Sequence, residues 1–147
     1  MYAELTQKAE QQLSLGCQVI FRKSISNDER LALLQTATAL LYTPDREHFG
    51  IVPIEAMAQG VPVIAVSSGG PLETIEHDVT GYLCEQSPKA FSGAMENFIT
   101  KDKALKKQIV EMGLKGKKRV EKLFSKTALR QKLEDCINRI VNDKKKH

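Results

Sequence analysis

TALLYTPDREHFGIVPIEAMAQGVPVIAVSSGG, residues 38–70, decides the fold. Its two apolar runs, TALLYTP at 38–44 and VPVIAV at 61–66, are too short for stable helices and read as strands buried on both faces. Pro44 ends the first, because proline cannot donate to a strand ladder. DREHF is a loop, and residues 50–59 read as a helix with Gly60 as its stop signal. A helical crossover between two buried strands makes those strands parallel. SSGG then turns the chain.

The pattern continues on both sides. PLETIEH reads as a short helix with Pro71 in its first turn, DVTG as a turn, and YLC, 82–84, as a strand. Upstream, CQVIF at 17–21 reads as a strand, and Ser26 with Glu29 matches a capping box that starts a helix. Leu31, Leu34 and Ala37, with Leu33, form the expected apolar face of that helix. Residues 3–15 read as a helix that stops near Gly16. From Pro88 to about residue 142 the pattern is helical, with Gly113 and Gly116 expected to break or bend it. The expected fold is α/β: a partial Rossmann-like domain with a parallel sheet and a helical C-terminal third. Residues 17–100 form the expected core, and 101–142 the C-terminal helices of a single incomplete domain spanning 1–147.

The 147 residues suffice for one domain with a core of its own. No apolar run approaches the ~20 residues needed to span a bilayer, and the polar start MYAELTQKAEQQ does not read as a signal peptide. Cys17, Cys84 and Cys136 are widely spaced and odd in number, as expected of packed, reduced thiols in a reducing compartment. The net charge of +4 is unevenly shared. Residues 1–100 carry 6 Lys and Arg against 12 Asp and Glu, while residues 101–147 carry 16 against 6. The basic region is either a solvated helical face or a surface for phosphates or an anionic membrane.

Ligands of open α/β sheets bind beyond the carboxyl ends of the strands. The loops there are 43–50 and 67–71. Gly50, Ile51 and Val52 start a helix, so their N–H groups lack intrahelical partners and the helix dipole adds positive potential, which suits a phosphate. Glu47 precedes this helix start and Glu55 follows it, eight positions apart. The two carboxylates could bracket a nucleotide sugar. Alternatively, Glu47 serves the helix dipole and Glu55 a surface ion pair. Asp45 and Glu47 resemble a metal pair, but the helix start supplies positive potential without an ion. His48 could be a general base, although a lone loop histidine is more often a hydrogen-bonding residue. Motifs for P-loops, serine hydrolases, zinc proteases and nucleic-acid modules are absent from the sequence.

E-H-F-G-I-V-P-I-E-A-M, followed by G-V-P-V-I-A-V-S-S-G-G-P-L-E-T-I and D-V-T-G-Y-L-C, resembles the C-terminal, donor-binding half of a retaining GT-B glycosyltransferase of family 4. The glutamates eight apart are that family's signature. R-K-S-I-S, L-Y-T-P and S-G-G-P-L-E-T-I are most similar to its mannosyltransferases of asparagine-linked glycosylation. Those extend a dolichol-pyrophosphate-linked oligosaccharide on the cytosolic face of the endoplasmic reticulum membrane. The resemblance covers roughly residues 17–135, is specific at 42–85 and loose in the C-terminal helices.

It implies transfer of mannose from GDP-mannose with no metal. Glu47 would contact hydroxyls of the transferred sugar as the catalytic residue, and Glu55 the ribose. Backbone amides of Phe49, Gly50 and Ile51 would hold the diphosphate, the backbone around Ile25 would meet the base, and Gly69 and Gly70 would shape the site. The implied partners are a nucleotide sugar and a lipid-linked oligosaccharide, with no nucleic acid involved; a membrane surface stays one of the two options for the basic C-terminal region. Two rival functions are a non-catalytic donor-binding subunit that needs a partner, and a family 4 transferase with another donor or acceptor.

The resemblance also implies what lies outside this sequence: an acceptor-binding domain, two central strands, and an Arg/Lys pair that neutralises the diphosphate. CQVIF is therefore expected to lack its neighbours. A donor held by helix amides alone forgoes charge-assisted bonds worth roughly 1.5–3 kcal/mol each, so weak donor binding is expected of the isolated chain.

Overall fold

The computed structural model describes residues 2–12 and 18–144. They fall into two compact units, one within residues 1–32 and one within 33–147.

In the first unit, α1 (Tyr2–Gln7) runs into a π-helical segment (Lys8–Gln12), while the expected stop at Gly16 lies outside the described residues. The capping box forms as expected. The Ser26 amide donates to Glu29 Oε2 at 2.9 Å, and the Glu29 amide donates to Ser26 Oγ at 3.2 Å, opening α2 (Asn27–Thr36). The bond from the Ser26 amide favours the ionised carboxylate and is the main cause, ahead of the Ser26 side chain, that lowers the Glu29 pKa. The strand expected at 17–21 does not form among its described residues 18–21: Ile20 is 73% exposed, and Val19 is exposed too. An apolar pentapeptide becomes a strand only where a neighbour takes up its backbone hydrogen bonds, and no described strand pairs with this one.

The second unit is built on three parallel strands, β1 (Leu40–Tyr42), β2 (Val63–Val66) and β3 (Gly81–Cys84), in the order β1-β2-β3. Leu40 pairs with Val63 and Tyr42 with Ala65, while Val63 pairs with Gly81 and Val66 with Cys84. The crossovers are α3 (Ile51–Ala58) and α4 (Pro71–Thr74), as the strand–helix–strand pattern requires. All four residues of β2 are buried, which explains why VIAV shows no polar alternation. The core joins Leu34 near the end of α2 with Tyr42, Ala56, Met57, Val61, Val63, Ala65 and Ile75. Of the apolar face expected for α2, Leu34 is buried but Leu31 and Leu33 are exposed.

The C-terminal third is three helices: α5 (Pro88–Ile99), α6 (Lys103–Leu123) and α7 (Lys126–Lys144). Gly113 and Gly116 do not break the helix, which runs on through both of them. Both are buried inside α6. A Cβ at Gly113 would fall onto the Gly60 carbonyl oxygen, and one at Gly116 would lie 3.2 Å from Met57 Cγ. Their missing side chains let α6 press against α3 and the turn that ends it. The real breaks are at caps. Asp102 Oδ1 accepts from the Ala104 amide at 2.7 Å, and Ser125 Oγ from the Ala128 amide at 3.1 Å. Along α7, Leu129, Leu133, Ile137 and Ile140 are exposed. Cys136 lies exposed on this helix too, correcting the expectation of a packed thiol, whereas Cys84 is buried and its pKa is raised by burial.

Candidate functional site

Parallel strands send their following loops out at one end of the sheet, so residues 43–50 after β1 and 67–70 after β2 emerge together. The two loops are knitted backbone to backbone. The Gly70 amide donates to the Glu47 carbonyl at 2.6 Å. Gly69 has φ of 57°, and a Cβ on it would strike the Glu47 backbone. A Cβ on Gly70 would strike the Phe49 backbone. The GG pair is thus a cradle for the chain from Glu47 to Phe49, and only glycine can occupy either position at this separation.

Side chains tie the loops as well. Ser68 Oγ donates to Asp45 Oδ1 at 2.6 Å and accepts from the Arg46 amide at 3.2 Å. Arg46 is held at φ of 56°, a left-handed conformation uncommon outside glycine. Asp45 is thereby engaged with Ser68 and, at 3.5 Å, with the Arg46 guanidinium. Among the described residues no three His, Cys, Asp or Glu side chains gather in a cluster able to hold a metal ion.

Gly50 precedes α3 in the left-handed region, at φ 72° and ψ 71°, and no side chain caps the helix. Pro53, in the first turn, has no N–H to leave unmatched. The helix start therefore presents backbone N–H groups and the positive end of the dipole next to Glu47, an arrangement that stabilises an anion. Glu47 and His48 are exposed. Glu55 sits in the second turn of α3, half-buried, with its Oε2 atom fully covered. Phe49 is kept beside the helix start by an edge-to-face contact with Phe124, ring centres 5.9 Å apart.

Of the residues singled out from sequence, Glu47, Phe49, Gly50, Ile51, Gly69 and Gly70 come together on these two loops, and Glu55 lies one turn along the same helix. Ile25 belongs to the other unit. Sequence reasoning missed Tyr42 and Ser68. Tyr42 is buried at the end of β1. Burial, then the hydrogen bond of its hydroxyl to the Glu47 carboxylate and the charge on that group, raise the Tyr42 pKa. The last residue of a strand, five positions before a candidate site carboxylate, was the available signal.

The model of the family described as glycosyl transferases group 1 matches residues 2–119. The chain belongs to that family. This glycosyltransferase chain is 48% identical over 140 residues to alpha-1,3/1,6-mannosyltransferase ALG2 of Homo sapiens, covering 95% of this chain and 32% of the relative. The Mus musculus protein of the same name is also 48% identical, with the same coverage. The glycosyltransferase chain thus spans about a third of the length of these curated relatives. Among solved structures it resembles sucrose-phosphate synthase from Thermosynechococcus elongatus, with a TM-score of 0.77 and 28% identity over 96% of this chain and 35% of that one. The α/β fold with a small parallel sheet and a helical C-terminal part is shared with these GT-B neighbours.

Proposed function

We propose that this chain is the donor-binding part of a mannosyltransferase that moves mannose from GDP-mannose to a dolichol-pyrophosphate-linked oligosaccharide. The observation that carries this reading is the uncapped start of α3, set between Glu47 and Glu55, in a chain nearly half identical to proteins named alpha-1,3/1,6-mannosyltransferase. In this reading the amides of Phe49, Gly50 and Ile51 receive the diphosphate. Charge that builds on the leaving group is stabilised by preorganised N–H donors and the helix dipole, with no metal ion required. Glu47, on the loop just before those amides, meets the hydroxyls of the transferred sugar. Glu55, one turn further on, accepts from the ribose.

The cytosolic face of the endoplasmic reticulum membrane fits a lipid-linked acceptor. No described helix is long and apolar enough to cross a membrane. The exposed Leu133, Ile137 and Ile140 of α7, with the basic charge of the C-terminal third, suit contact with a membrane surface.

The test is mannose transfer to a lipid-linked acceptor by the longer protein that carries these residues, together with GDP-mannose titration of the chain itself. Glu47→Ala should lower kcat on the order of 10²–10³-fold, the scale of losing a transition-state contact. Glu55→Ala should mainly raise the donor KM, by about tenfold, the cost of one charged hydrogen bond. Full activity in both variants would end the site assignment. Preference for another nucleotide sugar would end the GDP-mannose assignment.

A further inference from the structure

α4 is a single turn of four residues, and an isolated turn has no stability of its own. Its last carbonyls also lack intrahelical partners. Both needs are met from a distant element. Arg119, near the end of α6, donates Nε to the Thr74 carbonyl at 2.9 Å and Nη2 to the Glu73 carbonyl at 3.1 Å. Its Nη1 faces Glu76 Oε2 at 3.4 Å. The Arg119 side chain is only 24% exposed and its bond to Thr74 is partly buried, while its contacts with Glu73 and Glu76 lie at the surface. A guanidinium with its donors in a fixed fork can serve three acceptors at once, which an ammonium cannot do with the same geometry.

The clamp reaches the candidate site through α4. The Gly70 carbonyl accepts from the Glu73 amide at 3.0 Å, the Thr74 amide at 3.1 Å and Thr74 Oγ1 at 3.2 Å. The Gly70 amide, on the other side of the same residue, donates to the Glu47 carbonyl. Gly70 is therefore gripped by α4 on one side and grips Glu47 on the other. Resting on the function proposed above, we propose that Arg119 is a positioning residue for Glu47: it fixes α4, and through the Gly69-Gly70 cradle it fixes the backbone that aims the Glu47 carboxylate.

Hydrogen exchange on this chain tests the clamp whether or not the functional reading holds. In Arg119→Gln, the Gly70 amide should exchange about tenfold faster, as a local opening, while the Ile64 and Ala65 amides of β2 keep their rates. An unchanged Gly70 rate would overturn the proposal. So would equal acceleration of all three amides, which marks simple global destabilisation. If Arg119→Gln does not fold, Arg119→Lys is judged by the same two criteria, since it retains the charge but not the fork. Arg130→Gln, which removes a surface ion pair with Glu134 on α7, serves as the control and should leave Gly70 unchanged. In mannose transfer by the longer protein, Arg119→Gln should lower kcat about tenfold with the donor KM within about twofold of wild type. A raised KM with unchanged kcat would overturn the positioning role. An inactive wild-type protein would remove the functional reading and leave the exchange result standing.

Discussion

Tyr42 links the sheet to the site by one hydroxyl, and this gives it a measurable pH signature. Burial and the neighbouring Glu47 carboxylate both favour the neutral phenol, so its folded pKa lies above the ordinary value of 10.0. The unfolded chain releases this proton near pH 10, whereas the folded chain holds it longer. The stabilisation is therefore complete below about pH 10 and is lost as pH rises through the folded value. Urea midpoints measured from about pH 8 to 11 should fall more steeply for wild type than for Tyr42→Phe. Tyr82, whose pKa is also raised by burial and then by the charge of Asp78, will leave a residual slope in the variant. Parallel curves would show that Tyr42 does not sense Glu47. At this scale the sequence was readable where chemistry is local: the Ser26–Glu29 box was found from spacing alone, and the glycine pair was placed in a turn, its role in the site coming only from the family resemblance. The phenol of Tyr42 was not found, because its meeting with Glu47 depends on how the loop folds back.

Helices show the opposite balance. Strand–helix–strand alternation placed β1, α3, β2, α4 and β3 in order, each within a few residues of its observed bounds, because buried parallel strands have a distinctive apolar run. The long helical tail was misread at its glycines. Propensity treats a glycine in a helix as a weak point, yet Gly116 is where α6 touches α3 and Gly113 where it touches the turn that follows α3. Nothing in a single sequence separates a glycine that ends a helix from one that admits a neighbour. The caps at Asp102 and Ser125, which the sequence reading did not single out, decide the true ends. A paired substitution tests this account. Gly93→Ala, in α5 with nothing within 4 Å of the added carbon, should stabilise by up to about 1 kcal/mol. Gly113→Ala gains the same propensity but meets the Gly60 backbone, and should destabilise by about 1–3 kcal/mol. Urea unfolding of the two variants gives opposite signs if α6 is held by close approach, and the same sign if it is not.

For the molecule as a whole, the strand pattern was a sound guide only where neighbours exist. CQVIF has the composition of a buried strand, but strand formation belongs to a sheet and not to a segment, and residues 18–21 carry no partner strand. The same physics acts on β1. It pairs with β2 along one edge, while no described strand covers the other, and Leu41 in its centre is 45% exposed. A strand edge left unpaired by other strands is a template for more of them. Its practical reach is colloidal: in concentrated solution, chains of this protein should recruit one another along β1, and purification yield will depend on how dilute the protein is kept. Leu41→Lys should suppress concentration-dependent light scattering and shift the unfolding midpoint little, because a charge in the middle of an edge repels a second copy at small cost to its own fold.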